Sequence, residues 1–341
     1  MNALRPIEIV GGGLAGLSMG LTLQRRGVPT TVFEAGEYPR HRVCGEFLAG
    51  LDDRTVQQLG IGDLLQGARS QRRISWHRKG HIWRQTLARP AFSISRHQLD
   101  ARFARAFEQA GGQLRARHRV DQQPAPEGRV FGSGRNRGES GWLGLKLHVR
   151  GLRLDGDLEI HLGHQAYVGL CDVDDGLVNV CGLFRIRPGV PVDRLRALIN
   201  YLAAARLSEL SDRVRAAEID PDSCCAVAGL RFGPADAAPD RIRLGDAIAM
   251  TPPFTGNGMA MALQSAECAA GPLEGWARGE YGWETAVRVA TKALHNRFRR
   301  RLRFAAWLHP FVLSPTRQSL FRLTVRLGIL PIDHVTATVH A

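Results

Sequence analysis

The chain has 341 residues, of which 44% are hydrophobic and 23% are charged, so it is long enough for one large or two modest globular domains. No run approaches about 18 consecutive apolar residues and the N-terminus lacks a secretory signal, so we expect neither a membrane-spanning helix nor a signal peptide. The net charge of +14 comes from arginines spread along the chain without a nucleic-acid-binding motif, so we expect no nucleic-acid partner.

The spacing of cysteine and histidine gives no sign of a disulfide framework or a metal centre. The six cysteines lack a CxxC pair and the twelve histidines lack an HExxH pair. We therefore expect reduced thiols, a cytoplasmic location and no bound metal. The cysteines are Cys44, Cys171, Cys181, Cys224, Cys225 and Cys268.

The beginning of the chain predicts a β-α-β unit. Residues 5–10 have the pattern of a buried strand, residues 14–26 that of a helix and residues 30–34 that of a second strand. A GxGxxG sequence separates the first strand from the helix. Its first glycine permits a tight turn, its second lets a diphosphate approach the backbone, and its third lets the helix pack on the strand. These glycines are Gly11, Gly13 and Gly16.

This unit predicts a dinucleotide site. The helix that Leu14 and Ala15 open offers free N–H groups and a partial positive charge to a diphosphate. Glu34 ends the second strand, where its carboxylate would accept hydrogen bonds from a ribose and would repel a 2′-phosphate. We therefore predict a ligand with an unphosphorylated ribose, which disfavours NADP at this site.

The middle of the chain predicts a helix, a loop and a β-hairpin. Residues 95–111 are amphipathic, with capping residues at both ends. The stretch 124–141 is rich in proline and glycine and predicts a loop. Alternation over residues 158–184, around a turn at Asp174–Gly176, predicts the hairpin.

The last third predicts further helices. Residues 192–210 have a helical pattern, residues 241–246 predict a strand, and residues 257–270 predict the helix that follows it. Residues 285–308 predict a long basic helix. The basic, amphipathic segment 295–330 could lie on an anionic membrane surface, or could pack on its own domain with the arginines in solvent.

A second glycine-rich segment, GDAIAMTPPFTGNGMAMALQSA, follows the predicted strand 241–246. A simple NAD dehydrogenase does not need such a segment, but a two-part FAD site does. The aspartate can accept hydrogen bonds from the ribityl hydroxyls, and the start of the next helix can direct N–H groups at the flavin pyrimidine edge. The alternative is an ordinary loop that enters a core helix. The candidate flavin contacts are Gly245, Asp246, Pro253, Gly256, Asn257, Gly258 and Met259.

The sequence resembles FAD-dependent oxidoreductases of the aromatic-hydroxylase and geranylgeranyl-reductase superfamily. The resemblance covers most of residues 5–270 in the expected order. It implies an α/β fold in which a Rossmann-like FAD-binding domain is interleaved with a β-sheet substrate domain, with a helical C-terminus. Its segments are IVGGGLAGLSMGLTLQRRG, VFEAGEYPRHRVCGEFLAG, SRHQLDARFARAFEQAGG, GSGR with GWLGLKLHVRG, YVGLCDVDDGLVNVCGLF and the second glycine-rich segment.

The same resemblance implies roles for residues outside the two glycine segments. Arg96 would approach the ribityl or phosphate region of FAD, and Arg42, Cys44, Gly45 and Glu46 would lie near the isoalloxazine. From the residues alone, the cysteine is either a redox or flavin-contacting thiol or a small space-filling side chain. The glutamate is either an acid or base in catalysis or a helix cap. We take both as candidate catalytic residues.

Two departures from the superfamily pattern and two missing motifs bear on the electron donor and the reaction. The segment 112–132 is short, and GSGR replaces the acidic DG segment that accompanies nicotinamide use. No second GxGxxG is present, so NAD(P)H would bind only transiently, or a partner would supply the electrons. The WxWxIP sequence of flavin-dependent halogenases is absent, which argues against halogenation.

The predicted domain organisation is discontinuous. Residues 1–70, 92–150 and 240–275 are assigned to the FAD-binding domain. Residues 71–91 and 151–239 are assigned to the substrate domain, and residues 276–341 to a C-terminal helical segment.

These observations favour an FAD-dependent monooxygenase. The alternatives are a flavin-dependent reductase of C=C bonds and a non-catalytic flavin-binding protein. We expect an apolar small-molecule substrate, such as a polyketide, an aromatic compound or an isoprenoid, in a pocket walled by the hairpin. The predicted wall residues, which could equally be sheet core, are Tyr167, Gly169, Cys171, Val178, Val180 and Gly182.

Overall fold

A computed structural model describes residues 3–121, 123, 125–134, 138, 140–235 and 240–313. The strands are β1 Ile7–Val10, β2 Thr30–Phe33, β3 Phe47–Leu48, β4 Arg69–Arg78, β5 His81–Ser93, β6 Gln113–Arg115, β7 Arg129–Phe131, β8 Trp142–Arg150, β9 Leu158–Gly163, β10 Ala166–Asp172, β11 Val178–Arg185, β12 Glu218–Ala228, β13 Gly233–Pro234, β14 Ile242–Arg243 and β15 Ala249–Met250. The helices are α1 Leu14–Arg25, α2 Asp53–Leu59, α3 Arg96–Gln109, α4 Ala197–Ala204, α5 Ser208–Ala216, α6 Gly258–Ala277 and α7 Trp283–Leu313.

A parallel sheet in the order β14-β7-β1-β2-β6 holds the predicted β-α-β unit. Helix α1 is buried from Leu14 to Leu23 because α3 and α6 both pack against it. A helix covered on several sides needs an apolar surface on each of them, which its sequence provides. The α/β class and the Rossmann-like unit expected from the sequence are confirmed.

The predicted loop 124–141 was wrong in part. Strand β7 lies inside it and pairs in parallel with both β1 and β14. A strand of three residues between glycine- and proline-rich flanks carries too little periodicity to be distinguished from a loop. Residues 122, 124, 135–137 and 139 of this region, including the arginine of GSGR, lie outside the described residues.

The larger sheet has the order β12-β8-β11-β10-β9-β4-β5-β3. It contains the predicted hairpin, β10 and β11, whose turn includes residues 174–176. Strand β8, which lies within the stretch 92–150 that we assigned to the FAD-binding domain, pairs with β11 and β12. The domain division stays a prediction.

Along β11, the side chains that share a face with Tyr167 and Gly169 are not the ones that we predicted. Tyr167 pairs with Leu183 and Gly169 pairs with Cys181, so these side chains share one face. The valines that we expected beside them instead pack in the cluster beneath α4 and α5. A one-residue error in register moves every side chain of a strand to the other face. The residues affected are Val178 and Val180, whereas Gly182 lines the cavity described below, as predicted.

Two predicted elements change their bounds, and a third is confirmed. The helix predicted over 192–210 is interrupted, because the backbone at Arg206 adopts a positive φ of 62° between α4 and α5. The strand predicted over 241–246 is limited to β14, and residues 245–247 form a 3₁₀ turn. The predicted helix 95–111 is confirmed as α3, with the Ser95 side chain accepting a hydrogen bond from the peptide N–H of His97.

The C-terminal helix α7 packs along α6 and reaches the larger sheet at β9 and β10. Within residues 3–313, apart from the internal gaps, no helix combines the length and apolar content that a membrane crossing requires. Residues 314–341, which include the end of the basic segment, lie outside the described residues.

Candidate functional site

The two glycine-rich segments lie against each other. A Cβ atom added to Gly245 would lie 3.0 Å from the Cβ of Ala15, and the peptide N–H of Gly245 donates to Ser265 Oγ over 3.0 Å. Helix α6, which follows the second segment, packs against α1, which follows the first. Segments more than 200 residues apart thus meet in the fold, and their shared ligand stays a prediction.

The first segment has the close contacts of a dinucleotide turn. Gly11 has a φ of +105°, and a Cβ there would lie 2.4 Å from the carbonyl oxygen of Gly132. A Cβ on Gly16 would lie 1.9 Å from the carbonyl oxygen of Gly11. Gly13 differs, because nothing lies within 4 Å of its Cβ position, and no side chain caps the helix that it opens. The open space beside uncapped N–H groups fits a diphosphate.

Glu34 is surrounded by donors at the end of β2. Its carboxylate accepts hydrogen bonds from the peptide N–H groups of Gly12, over 3.0 Å, and Gly36, over 2.8 Å. It also pairs with Arg40 at 3.1 Å and with Arg42 at 3.4 Å. A ribose would therefore bond to this carboxylate by replacing one of the arginines, and the ribose contact stays a prediction.

Arg96 has an internal partner. Its guanidinium forms two hydrogen bonds to Asp100, of 2.7 and 2.8 Å, one helical turn further on. Arg42 donates to the same carboxylate over 2.9 Å. Although burial opposes it, the charge of Asp100 raises the pKa of Arg96, which therefore stays charged. Arg42 thus lies between Asp100 and Glu34, and it does not line the cavity described in the next paragraph. A contact of Arg42 or Arg96 with FAD stays a prediction.

A cavity of about 130 Å³ opens where the turn 43–47, the larger sheet and the second glycine segment meet. Its sheet wall includes Tyr167, Gly169 and Leu183, as expected for the first two. The wall is mostly apolar, and within the described part of the chain Asp246 is the one acidic residue that lines it. Five of the predicted site residues line it: Cys44, Gly45, Asp246, Pro253 and Gly256.

The other predicted flavin contacts of the second segment lie behind this wall. Asn257 is buried, Gly258 begins α6, and Met259 packs in the same core as α1. Of the hairpin residues, Cys171 is fully buried behind the turn, and its thiol donates to the carbonyl oxygen of Gly45 over 3.4 Å. The N-terminus of α6 lies two residues after Gly256, which lines the cavity, and its role toward a flavin stays a prediction.

Cys44 has the properties of a neutral thiol. Burial raises its pKa, although the charge of Arg96 opposes this effect. The pKa of Cys181, across the cavity, is also raised by burial. Because the thiolate is the reactive form of cysteine, this environment favours contact or space filling over nucleophilic chemistry at Cys44.

A buried polar cluster lies next to the turn 43–47, and sequence reasoning missed most of it. The Glu46 carboxylate is 2.6 Å from His148 Nε2 and 3.4 Å from Lys146 Nζ. Lys146 Nζ is 3.1 Å from Nδ1 of His41, whose ring stacks on that of His97 at 4.2 Å. The sequence of β8, WLGLKLHVR, carries a signal, since its lysine and histidine alternate with leucines and so share one face.

A second cluster of similar composition lies on the opposite face of the same sheet. Glu159 is 2.8 Å from His161 and pairs with Arg213 at 3.0 Å. The rings of His161 and His77 stack at 4.2 Å with an interplanar angle of 16°. His77, Glu159 and His161 are close enough to one another to hold a metal ion. However, two nearly parallel imidazole rings do not each direct a nitrogen at a single ion.

The end of α7 packs against residues of the cavity wall. Phe254, on the cavity wall, stacks on His309 with the ring centres 6.1 Å apart. His309 also contacts Phe232 at 4.8 Å and Trp142 at 6.1 Å. Burial lowers the pKa of His309 to about 4, so this imidazole is neutral and acts as one more apolar ring at neutral pH.

Comparison with known protein sequences supports the predicted nucleotide-binding unit. Residues 9–44 match the family model of the NAD(P)-binding Rossmann-like domain. Over 60 residues the chain is 40% identical to Monooxygenase 1 of Arabidopsis thaliana. This match covers 18% of the chain and spans only 15% of the length of that relative.

The fold itself extends over entire flavoenzymes. HpxO of Klebsiella pneumoniae, solved with FAD and uric acid, matches with a TM-score of 0.75 at 18% identity, over 98% of this chain and 96% of its own. The flavin-dependent brominase Bmp2 gives 0.74 at 15% identity, with coverages of 99% and 94%. PqsL of Pseudomonas aeruginosa, in complex with 2-aminobenzoylacetate, gives 0.70 at 15% identity, with coverages of 93% and 98%.

The chain has the fold of FAD-dependent oxidoreductases. The fold expected from the resemblance is thereby confirmed. Two features of this FAD-dependent oxidoreductase fold fit FAD itself. The space at Gly13 suits the diphosphate, and the cavity suits a flat ring between the turn 43–47 and the segment that ends at Gly256.

Proposed function

We propose that the chain is an FAD-dependent monooxygenase that acts on an apolar small molecule of polyketide, aromatic or isoprenoid type. One observation carries the proposal: the predicted flavin-contact turns supply one side of a cavity whose other side is the apolar face of the larger sheet. A ring held by the turns would therefore lie against a substrate held by the sheet. Such a water-poor space suits oxygen transfer, in which water would compete.

Each part of the site has a role in holding FAD. The N–H groups of α1 beside Gly13 bind the diphosphate, and Asp246 accepts hydrogen bonds from the ribityl chain. The N-terminus of α6 at Gly258 faces the pyrimidine edge, where its partial charge favours the reduced form. When bound and reduced, FAD supplies the activation of O₂.

The reaction balances with a nicotinamide as the reductant. Substrate, O₂, NAD(P)H and one proton give the hydroxylated or epoxidised substrate, NAD(P)+ and water. NAD(P)H would bind transiently, since one dinucleotide turn of the GxGxxG type occurs in the sequence. Halogenation is left out of the proposal because the sequence lacks WxWxIP, although Bmp2 shares the fold.

The substrate class follows from the wall of the cavity. The side chains contributed by the sheet are small or apolar, including Gly169, Ile160 and Leu183, and among the residues that the structure describes no lysine or arginine lines the cavity. Uric acid and 2-aminobenzoylacetate, found with structures of the same fold, are small ring compounds. A neutral ring or polyene would be desolvated here at little cost.

The test begins with the purified protein. We expect flavin absorbance, release of FAD on heating, and consumption of NAD(P)H and O₂ that increases when a compound of the proposed classes is added. Colourless, folded protein that does not take up FAD would overturn the proposal. Anaerobic reduction of a C=C bond by the reduced enzyme, without O₂ consumption, would replace the monooxygenase by the reductase. A bound flavin that no acceptor reoxidises productively would indicate a binding protein.

We also propose peripheral contact of α7 with an anionic membrane surface. Its outer face exposes Trp307, at 48%, near Arg299, Arg300 and Arg303. Basic residues close to such a surface contribute about 1 kcal/mol each, and a tryptophan suits the interface. We expect sedimentation with phosphatidylserine vesicles at low salt, reduced by Trp307→Ala but not by Ile82→Ala, another exposed apolar position. Equal sedimentation with phosphatidylcholine vesicles, or none with either, would refute the contact.

A further inference from the structure

The turn 43–47 is held between two parts of the molecule. Val43, Cys44, Gly45 and Phe47 line the cavity, whereas the side chain of Glu46 is fully buried on the other side. The backbone of Glu46 has a φ of 53°, in the left-handed region that non-glycine residues rarely adopt. Such strain persists only where surrounding contacts fix the residue.

The contacts of the Glu46 carboxylate provide that fixation. It accepts a hydrogen bond of 3.0 Å from the peptide N–H of Arg96, at the start of α3. On the other side it binds His148 at 2.6 Å and Lys146 at 3.4 Å, both on β8. One carboxylate therefore joins the turn, helix α3 and the larger sheet.

This carboxylate is ionised. Burial disfavours the charge, but the hydrogen bond from His148 and the charge of Lys146 outweigh it, so the pKa of Glu46 is lowered. An acid or base in catalysis needs a pKa near the working pH and a path to the reacting atoms. Glu46 has neither feature, since its side chain is absent from the cavity wall.

Two further contacts hold the cavity side of the turn to the same sheet. Asn179 Nδ2 donates to the carbonyl oxygen of Cys44 over 3.1 Å, and the Cys171 thiol donates to that of Gly45. The turn is thus held at three successive residues, Cys44, Gly45 and Glu46. We propose that Glu46 is a positioning residue whose carboxylate holds Cys44 and Gly45 at the cavity wall, where they set the position of the flavin ring.

The part of this inference that concerns the flavin rests on the proposed function, so the test has one measurement with FAD and one without it. In Glu46→Gln the charge is lost while the size is kept. We expect about tenfold weaker FAD binding, as for the loss of a hydrogen bond to a charged group, and altered visible circular dichroism of the bound flavin. In the protein without FAD, we expect Cys44 to be alkylated about tenfold faster, measured by peptide mass spectrometry, because the turn opens more often.

Glu159→Gln is the matched control. Glu159 is a buried carboxylate of the same sheet with histidine and arginine partners, but on the face away from the cavity. It should lower the melting temperature without changing FAD affinity or Cys44 alkylation. Unchanged Cys44 alkylation in Glu46→Gln, or equal acceleration in Glu159→Gln, would overturn the inference whether or not FAD binds.

The pH profile separates positioning from acid–base chemistry. If Glu46 positions the turn, Glu46→Gln keeps both limbs of the profile of kcat/KM while its FAD affinity falls. Loss of one limb with unchanged FAD affinity would show that Glu46 exchanges a proton in the reaction and would overturn the positioning role. Should Glu46→Gln be too unstable to purify, Glu46→Gln combined with Lys146→Met removes both charges, and the same measurements apply.

Discussion

Replacing Gly13 with valine should give a folded protein that does not bind FAD. The backbone at Gly13, with φ of −79° and ψ of −177°, is open to any residue, and nothing lies within 4 Å of its Cβ position. The valine side chain would instead occupy the space that the diphosphate needs. We expect FAD affinity to fall at least about 100-fold, or ~2.7 kcal/mol, by titration, with little change in melting temperature.

Two variants check the specificity of this result. Gly271→Val places the same side chain on an exposed turn of α6 with open space around it and should bind FAD normally. Gly16→Ala places a Cβ 1.9 Å from the carbonyl oxygen of Gly11 and should destabilise the fold itself. Normal FAD binding by Gly13→Val would show that the diphosphate lies elsewhere.

Replacing Gly169 with leucine should abolish turnover while FAD stays bound. Gly169 lies on β10 between Ile160 and Cys181, on the cavity wall, and a Cβ there would meet no atom within 4 Å. A leucine side chain would fill much of a cavity of about 130 Å³. We expect substrate-dependent O₂ consumption to fall about 100-fold, which corresponds to ~2.7 kcal/mol of lost transition-state binding.

Gly271→Leu controls for the change of residue type, since its side chain would project into open space on α6. It should turn over normally. If Gly169→Leu lost FAD as well as activity, the sheet side of the cavity would belong to the flavin and not to the substrate.

The nucleotide unit was predictable because its signals are local. Strand β1, the glycines and helix α1 follow one another within 20 residues, and each glycine has a steric reason that the structure bears out at Gly11 and Gly16. The meeting of Gly245 with Ala15 was expected only because both segments suit one ligand. The ligand chemistry expected of the two segments therefore predicted a contact between residues that are 230 positions apart in the sequence.

The residues of the cavity wall were harder to predict, because the sequence of one strand does not determine its register with the neighbouring strand. The alternation of β11 shows two faces, but only its pairing with β10 shows that Cys181 and Leu183 lie beside Tyr167. The cluster at Glu46 depends on the same kind of information. Lys146 reaches Glu46 only because β8 passes behind a turn that lies 100 residues earlier in the chain.

The order of strands in the parallel sheet has a consequence for synthesis of the protein. Strand β1 is completed on one side by β7, which in turn needs β14 at residues 242–243, and helix α1 needs α6 to cover it. The dinucleotide turn is synthesised more than 200 residues before β14 and α6, which complete its surroundings. The nascent chain therefore keeps part of the apolar surface of α1 uncovered until α6 has emerged, and capture of the cofactor follows the synthesis of α6.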